Sequence, residues 1–285
     1  PRFYFVSNPG LLIILSQGSD PLSMNDHYEK VFDAISYVEH SRKDKTIIER
    51  MHGDGGQGHE VIPFSTPVRA VGNIEDWLCE LLKKQQLTMK DLARNCSSEV
   101  SRVANEIHNL RSFVDNNIAQ FALLGVQMLW TMDVQMSLEQ TRTKKNVMKE
   151  CNQRQSEILR EMSSWCLTDL GSKVNRRKIE TLVTIHVHQR DVTNDLATLA
   201  RNKKIQDPND FAWLQQARFY WRPAAIDEIS PDGACVICIT DVEFNYQFEY
   251  LGAKERLVIT PLTDRCYVTL SMGLRLFLGG APAGP

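Results

Sequence analysis

From Asn73 to Ala200 the chain keeps a helical hydrophobic rhythm, and no other feature constrains its fold as strongly. Asn73 is suited to cap a helix. Glu75 and Asp76 follow in the first turn, where the backbone dipole favours acids, and Trp77, Leu78, Leu81 and Leu82 share one face. NIAQFALLGVQMLWTMDVQMSLEQ (117–140) is strongly apolar over its first half, which predicts a buried helix. A further helix is expected over KKNVMKECNQRQSEILREMSSWCLTDLG, closed by Gly171. The next, over NRRKIETLVTIHVHQRDVTNDLATLA, sets Leu182, Ile185, Val192, Leu196 and Leu199 on one stripe. The fold class is therefore mainly α, a helical bundle with short strands. Several long helices packed side by side also supply stiffness that a single exposed helix lacks.

Both flanks leave this rhythm. RFYFVS (2–7) reads as a strand and NPG as a turn. LLIILSQG (11–18) reads as a short buried helix closed by Gly18. SDPLSMNDHYEKVFDAISYVE looks like the acid-capped start of a helix, with Tyr28, Val31, Phe32, Ile35 and Val38 at helical spacing. MHGDGGQGHEVIPF (51–64) is glycine-rich but lacks a Gly-Lys step, so it reads as a hairpin turn between two short strands. Further on, Asp207, Pro208 and Asp210 form a helix-start signal, with Asp207 as the cap. ACVICITDVEFNYQFEYLG and RLVIT then alternate or run apolar like strands, separated by GAKE as a turn. TDRCYVTLSMGLRLF (263–277) is the last helix expected, with Thr263 at its cap and Pro261 shortly before.

With 285 residues and 42% apolar composition the chain can bury a sizeable core, and its formal net charge of -2 offers no basic excess for nucleic acid. The clusters NRRK (175–178) and TKK (143–145) read as solvated helix faces. Seven scattered cysteines fit reduced thiols in a cytosolic compartment. The longest apolar run, GLLIIL, is far shorter than the roughly 20 residues a membrane-spanning helix needs.

Single motifs carry little chemistry. Cys235 and Cys238 form one C-x-x-C, and a strand would turn the two thiols to opposite faces, away from a common metal. His186 and His188 stand two apart, so a helix gives them no common face. The polar HQRD run (188–191) suits local ion pairs. Neither a Ser/His/Asp arrangement nor a carboxylate pair stands out. LFLGGAPAGP (276–285) is more specific: Gly284 and Pro285 match the first two letters of a phosphate-binding loop, although a flexible Gly/Pro tail explains the same letters. The Lys and hydroxyl of such a loop would follow Pro285, so the chain is expected to be a piece of a longer one.

The 251–285 stretch, LGAKERLVITPLTDRCYVTL followed by GGAPAGP, closely resembles the approach to the first AAA+ module of dynein heavy chains. RFYFVS and its continuation to 21, IPFSTPV (62–68), LLGVQMLWT (123–131), TLVTIHVHQRD (181–191) and FAWLQQARFYW (211–221) look like the dynein linker, in the family's order. LLGVQMLWT and TIHVHQRDV look most like an axonemal outer-arm heavy chain of the gamma type. The resemblance implies the C-terminal part of an elongated helical-bundle linker over 1–240. After it, over 241–285, would come the first strand and helix of an incomplete α/β AAA+ module. The implied activity is that of a lever lying across a six-module ATPase ring, bent and straightened by ATP binding and hydrolysis, in the axoneme of a cilium or flagellum.

By the same resemblance Pro261, Leu262 and Thr263 would line the adenine, and Gly284 and Pro285 would open the phosphate loop. Their spacing alone reads as a helix-entry turn and a tail. ATP or ADP with Mg²⁺ would be the cofactor of the longer parent chain. This chain lacks the phosphate-loop Lys, the Mg²⁺-binding Thr, the acid of the second nucleotide motif and the arginine finger. It is therefore expected to hold nucleotide weakly and to be inactive alone, with no catalytic residue and no metal site. Implied partners are its own AAA+ ring, other dynein heavy, intermediate and light chains, and the microtubule through distant parts of the parent; nucleic acid and membrane are not among them. A free-standing, non-catalytic helical protein that binds dynein subunits is the competing reading. Residues 241–285 are expected to be poorly ordered in isolation, because unpaired strand edges cost stability.

Overall fold

The structure is a computed structural model that describes residues 4, 6–16, 20–53, 60–104, 106–222, 233–254 and 256–283. In chain order its elements are α1 (Asn8–Ser16), α2 (Tyr28–Val31), β1 (Ile35–His40), β2 (Ile47–Gly53), β3 (Val61–Arg69), α3 (Ile74–Val103) and α4 (Leu110–Asn116). There follow α5 (Ala119–Glu139), α6 (Val147–Trp165), α7 (Lys173–Arg201), α8 (Phe211–Leu214), β4 (Arg218–Arg222), β5 (Ala234–Ile239), β6 (Val242–Asn245) and α9 (Pro261–Arg275). The fold is mainly α with two small antiparallel sheets, ordered β1-β2-β3 and β4-β5-β6.

Helix α5 is the axis of the fold. Sixteen of its 21 residues are buried, as a helix apolar on all sides requires. Its first half packs in the main core with α3, α4 and α7, and its second half runs into a smaller cluster around Trp130, Leu138, Met148, Leu196 and Trp213. In that cluster the Trp130 and Trp213 rings meet edge-on at 5.2 Å. Gly125 is required by packing, since a side chain there would collide with the Phe113 ring.

Polar groups link α5, α6 and α7 inside the core. Trp130 Nε1 donates to Thr193 Oγ1 at 3.0 Å, and that hydroxyl donates to the Gln189 carbonyl at 2.7 Å. The His186 ring lies 3.1 Å from Gln189 Oε1 and 3.2 Å from the Gln155 carbonyl, and Gln155 Nε2 donates to Asp133 at 2.8 Å. Arg154 completes the line with a 3.1 Å ion pair to Asp133. Burial lowers the His186 pKa to about 4 and raises that of Asp133. His188 points elsewhere, half-buried against Gln216. Arg190 and Asp191 form the local ion pair expected of the HQRD run.

Each small sheet lies on a helix. Strand β3 packs on α3, where Ser65 N–H donates to Thr88 Oγ1 at 3.0 Å. Pro63 and Pro67 are tolerated because β3 is an edge strand, and the register against β2 slips between Ile48 and Arg50. Strand β4 lies along α5, with Phe219 N–H donating to Thr131 Oγ1 at 3.1 Å and Tyr220 OH to Gln135 at 2.7 Å.

The structure corrects several expectations. Tyr28, Val31, Phe32, Ile35 and Val38 are all buried, but not on one helix. The helix stops after one turn, and the branched and aromatic ISYVEH run pairs with β2 instead. Helix α1 starts already at Asn8 and is not a buried helix, because Leu12, Ile13 and Leu15 are exposed. Of RFYFVS, Tyr4, Val6 and Ser7 are described and form no strand; its other residues and Gly18 lie outside the described set. Strands β2 and β3 flank the glycine-rich segment as expected, while residues 54–59 between them also lie outside it.

The later boundaries shift too. Helix α6 ends at Trp165, so Gly171 is not its cap; with φ +68 it turns the chain just before Ser172, the N-cap of α7. Asp210, not Asp207, precedes the one-turn α8, and its carboxylate accepts the Gln206 N–H at 3.0 Å. RLVIT forms no strand, because among the described residues no neighbouring strand pairs with it. Cys235 faces the main core, while Cys238 lies toward Glu243.

Candidate functional site

Residues 246–251 run on from β6 and are held by two side chains from elsewhere in the chain. Gln120, only 6% exposed in the first turn of α5, uses both ends of its amide. Its Nε2 donates to the Tyr246 hydroxyl at 2.6 Å and to the Glu249 carbonyl at 2.9 Å, and its Oε1 accepts the Leu251 N–H at 2.8 Å. Glu60, just before β3, supplies the second anchor. One oxygen accepts the Ala119 N–H at 2.6 Å, at the positive end of α5, and the other accepts the Tyr250 hydroxyl at 3.0 Å.

Packing closes the joint. Tyr250 is 1% exposed and its ring lies against Gly53, where any side chain would collide with it. Tyr246 and Phe248 meet edge-on at 5.3 Å, and Gln86 Nε2 donates to the Gln247 carbonyl at 3.1 Å. Burial pushes the Tyr246 phenol up to about 12, so it remains a neutral donor and acceptor. Nearby, Lys178 Nζ donates to the carbonyls of Val114 at 2.8 Å and Asn117 at 3.0 Å, which satisfies the C-terminal end of α4. Burial lowers its pKa, opposed by Glu60 and Asp115. NRRK is thus not wholly a solvated face: its last residue is a buried strut.

Reasoning from the sequence alone missed Glu60, Gln120 and Lys178. Two of them leave a trace there. Gln120 is a polar residue inside the apolar opening of α5, and Lys178 falls on the same helical stripe as Leu182 and Ile185. Glu60 leaves none, because its partners are far away in the chain.

The joint leads into the segment expected to meet adenine. Residues 256–260 have no regular structure, and α9 begins at Pro261 with Thr260, rather than Thr263, as its N-cap. Thr263 sits three residues later in a reciprocal cap, each threonine hydroxyl accepting the other's N–H at 3.3 Å. That hydroxyl is therefore engaged locally. Leu262 is 69% exposed and Leu257 78%, with Val258 also open. Gly284 and Pro285 lie outside the described residues, and none of the described residues forms a Gly-Lys step. Nor do three or more metal-ligating side chains converge among them. No helix among them is long and apolar enough to cross a membrane.

Helix α9 is tied back to the β5–β6 turn by an Arg275–Asp241 ion pair and a 3.7 Å contact from Thr240 Oγ1 to Met272 sulfur. Around it Leu274, Leu276, Phe277 and Leu278 stay exposed. The chemistry on hand is that of a hydrogen-bonded joint between a helical body and an exposed, apolar C-terminal segment.

Two family profiles match the two sides of this joint. Residues 1–96 match the family described as "Dynein heavy chain, N-terminal region 2", and residues 246–285 match "Hydrolytic ATP binding site of dynein motor region". Glu60 belongs to the first span and Tyr250 to the second. Over its full length the chain is 42% identical to the "Dynein gamma chain, flagellar outer arm" of Chlamydomonas reinhardtii. It is 41% identical to "Dynein axonemal heavy chain 5" of Rattus norvegicus and 42% to "Dynein axonemal heavy chain 8" of Homo sapiens, again across the whole chain. It spans only 6–8% of the length of these relatives.

Proposed function

This chain belongs to the dynein heavy-chain family, and from that premise we propose that it is the joint through which an ATPase module moves a helical lever. Residues 1–240 form the linker part and residues 241–285 the leading edge of the first AAA+ module, with the β5–β6 hairpin spanning the seam. The observation that carries this reading is the double anchorage of 246–251 by Gln120 and Glu60. A displacement of the ATPase edge is passed to the N-terminus of α5 by short, part-buried hydrogen bonds rather than by a flexible linker. Helix α5 then distributes it to α3, α6 and α7, on which it packs.

In the parent chain ATP with Mg²⁺ supplies the energy by phosphoryl transfer. The residues of this chain that would meet it are Pro261, Leu262 and Thr263 on the base side, with the Thr263 hydroxyl held in its cap, and Gly284 and Pro285 on the phosphate side. The working setting is an axonemal motor on microtubules, with its own AAA+ ring and other dynein chains as partners.

The test is Gln120→Ala in the full heavy chain that carries this segment. Microtubule gliding velocity should fall several-fold while ATP turnover is retained, because the chemistry is left intact and its mechanical output is loosened. Equal velocity and turnover in variant and parent would reject the coupling role.

A further inference from the structure

TKK does not lie on a helix face. It falls in the turn 141–146 between α5 and α6. There Lys144 and Lys145 gather with Lys149 from the first turn of α6, and with Arg201 and Lys203 from the end of α7, around an open cavity of about 500 Å³. Among the described residues no Asp or Glu lines this cavity. Among the described residues none of the five cations joins an ion pair, whereas Arg142 in the same turn is paired with Asp207 at 2.6 Å. Five like charges around one concavity repel each other and focus a positive potential into it. A chain of net charge -2 has acids enough to neutralise such a cluster, and among the described residues none stands at this cavity.

The floor of the cavity is of a different kind. Val147, Met148, Ala197 and Ala200 form an apolar base between the ends of α6 and α7. Asn152, Asn194 and Thr198 add polar groups at its side. A phosphate ester would answer the cations and leave that base uncovered. A peptide bearing carboxylates around an apolar side chain answers both.

We propose that this cavity is the docking site for an acidic segment of a protein partner, which seats one apolar side chain between α6 and α7 and surrounds it with carboxylates. Charge complementarity sets its approach rate and salt sensitivity, and the apolar anchor sets its residence.

The test uses the full 285-residue chain and a fluorescein-labelled peptide of six glutamates around one leucine, followed by fluorescence anisotropy. Saturable binding that weakens with added salt is expected. The double variant Lys145→Glu, Lys203→Glu should bind about tenfold more weakly, as should a peptide with glycine in place of leucine. Both replaced side chains are exposed, so the variant's circular dichroism should match the parent's. Absence of saturable binding, or equal binding by the charge-reversed variant, would overturn the proposal. So would tripolyphosphate competing as well as the peptide while the glycine peptide binds undiminished, since the cavity would then be a plain anion site.

Discussion

Glu60 and Tyr250 are 190 residues apart in the chain, and their carboxylate and hydroxyl meet at 3.0 Å. The same carboxylate holds the first amide of α5, so three distant stretches of chain converge on one side chain. Tyr250→Phe keeps the ring on Gly53 and removes only the hydroxyl. It should cost about 1 kcal/mol in urea denaturation. Gly53→Ala should cost about 1–3 kcal/mol, because the Tyr250 ring has no room to retreat from an added methyl. Equal stability of Gly53→Ala and parent would show that the ring moves freely.

Lys178 is 3% exposed and donates to two carbonyls at the end of α4. Lys178→Met retains the aliphatic stem and leaves both carbonyls without their donor. A loss of about 1–3 kcal/mol is expected on denaturation. Lys178→Arg should recover little, since a planar guanidinium does not fit a site shaped for a single ammonium. An unchanged midpoint in the Met variant would mean that water replaces the ammonium at no cost.

Acid should loosen the bundle through His186. Burial lowers its folded pKa from 6.5 to about 4, so the unfolded chain binds the proton more tightly. Its contribution is complete above pH 6.5 and is lost as the pH falls toward 4, by at most about 3 kcal/mol. His40 and His188 act in the same direction, while Asp133 acts oppositely because burial raises its pKa. The informative quantity is therefore a difference. Between pH 7.5 and 5 the parent should lose more stability than His186→Gln, and parallel pH profiles would exclude a neutral, buried His186.

Thiol reactivity should divide the seven cysteines. Cys79 and Cys266 are exposed, whereas burial pushes Cys96 and Cys235 up to about 12 and raises Cys151 and Cys238. Under native conditions Ellman's reagent should modify Cys79 and Cys266 first, followed by Cys166, with the others reacting only on unfolding. Mass mapping that found Cys96 or Cys235 among the first modified would contradict this packing.

Hydrogen exchange should separate the two sides of the joint. Within α9 only Ser271 is buried, against most of α5. Amides of α9 should exchange orders of magnitude faster than those around Leu123–Leu129. Equal protection in the two helices would show that α9 is covered by contacts beyond those described.

Much of the architecture was determined by sequence alone. The period from Asn73 onward marks the long helices, the wholly apolar opening of α5 marks it as central, and the glycine run at 54–59 is flanked by the expected strands. These signals are local, since helical spacing and turn chemistry act within a few residues. Tertiary structure decided what local signals cannot. Ile35 and Val38 satisfy a helical spacing, but β2 offered them a ladder, and a strand resulted. RLVIT has the composition of a strand and no partner among the described residues, so it forms none. Lys178 became a buried strut because the carbonyls of Val114 in α4 and of Asn117 just past it face it. The joint itself rests on contacts such as Glu60 with Tyr250 and Gln120 with Tyr246, each spanning more than a hundred residues. No window along the chain contains both partners, and only the packing of α5 against α3 and β4 brings them within hydrogen-bonding reach.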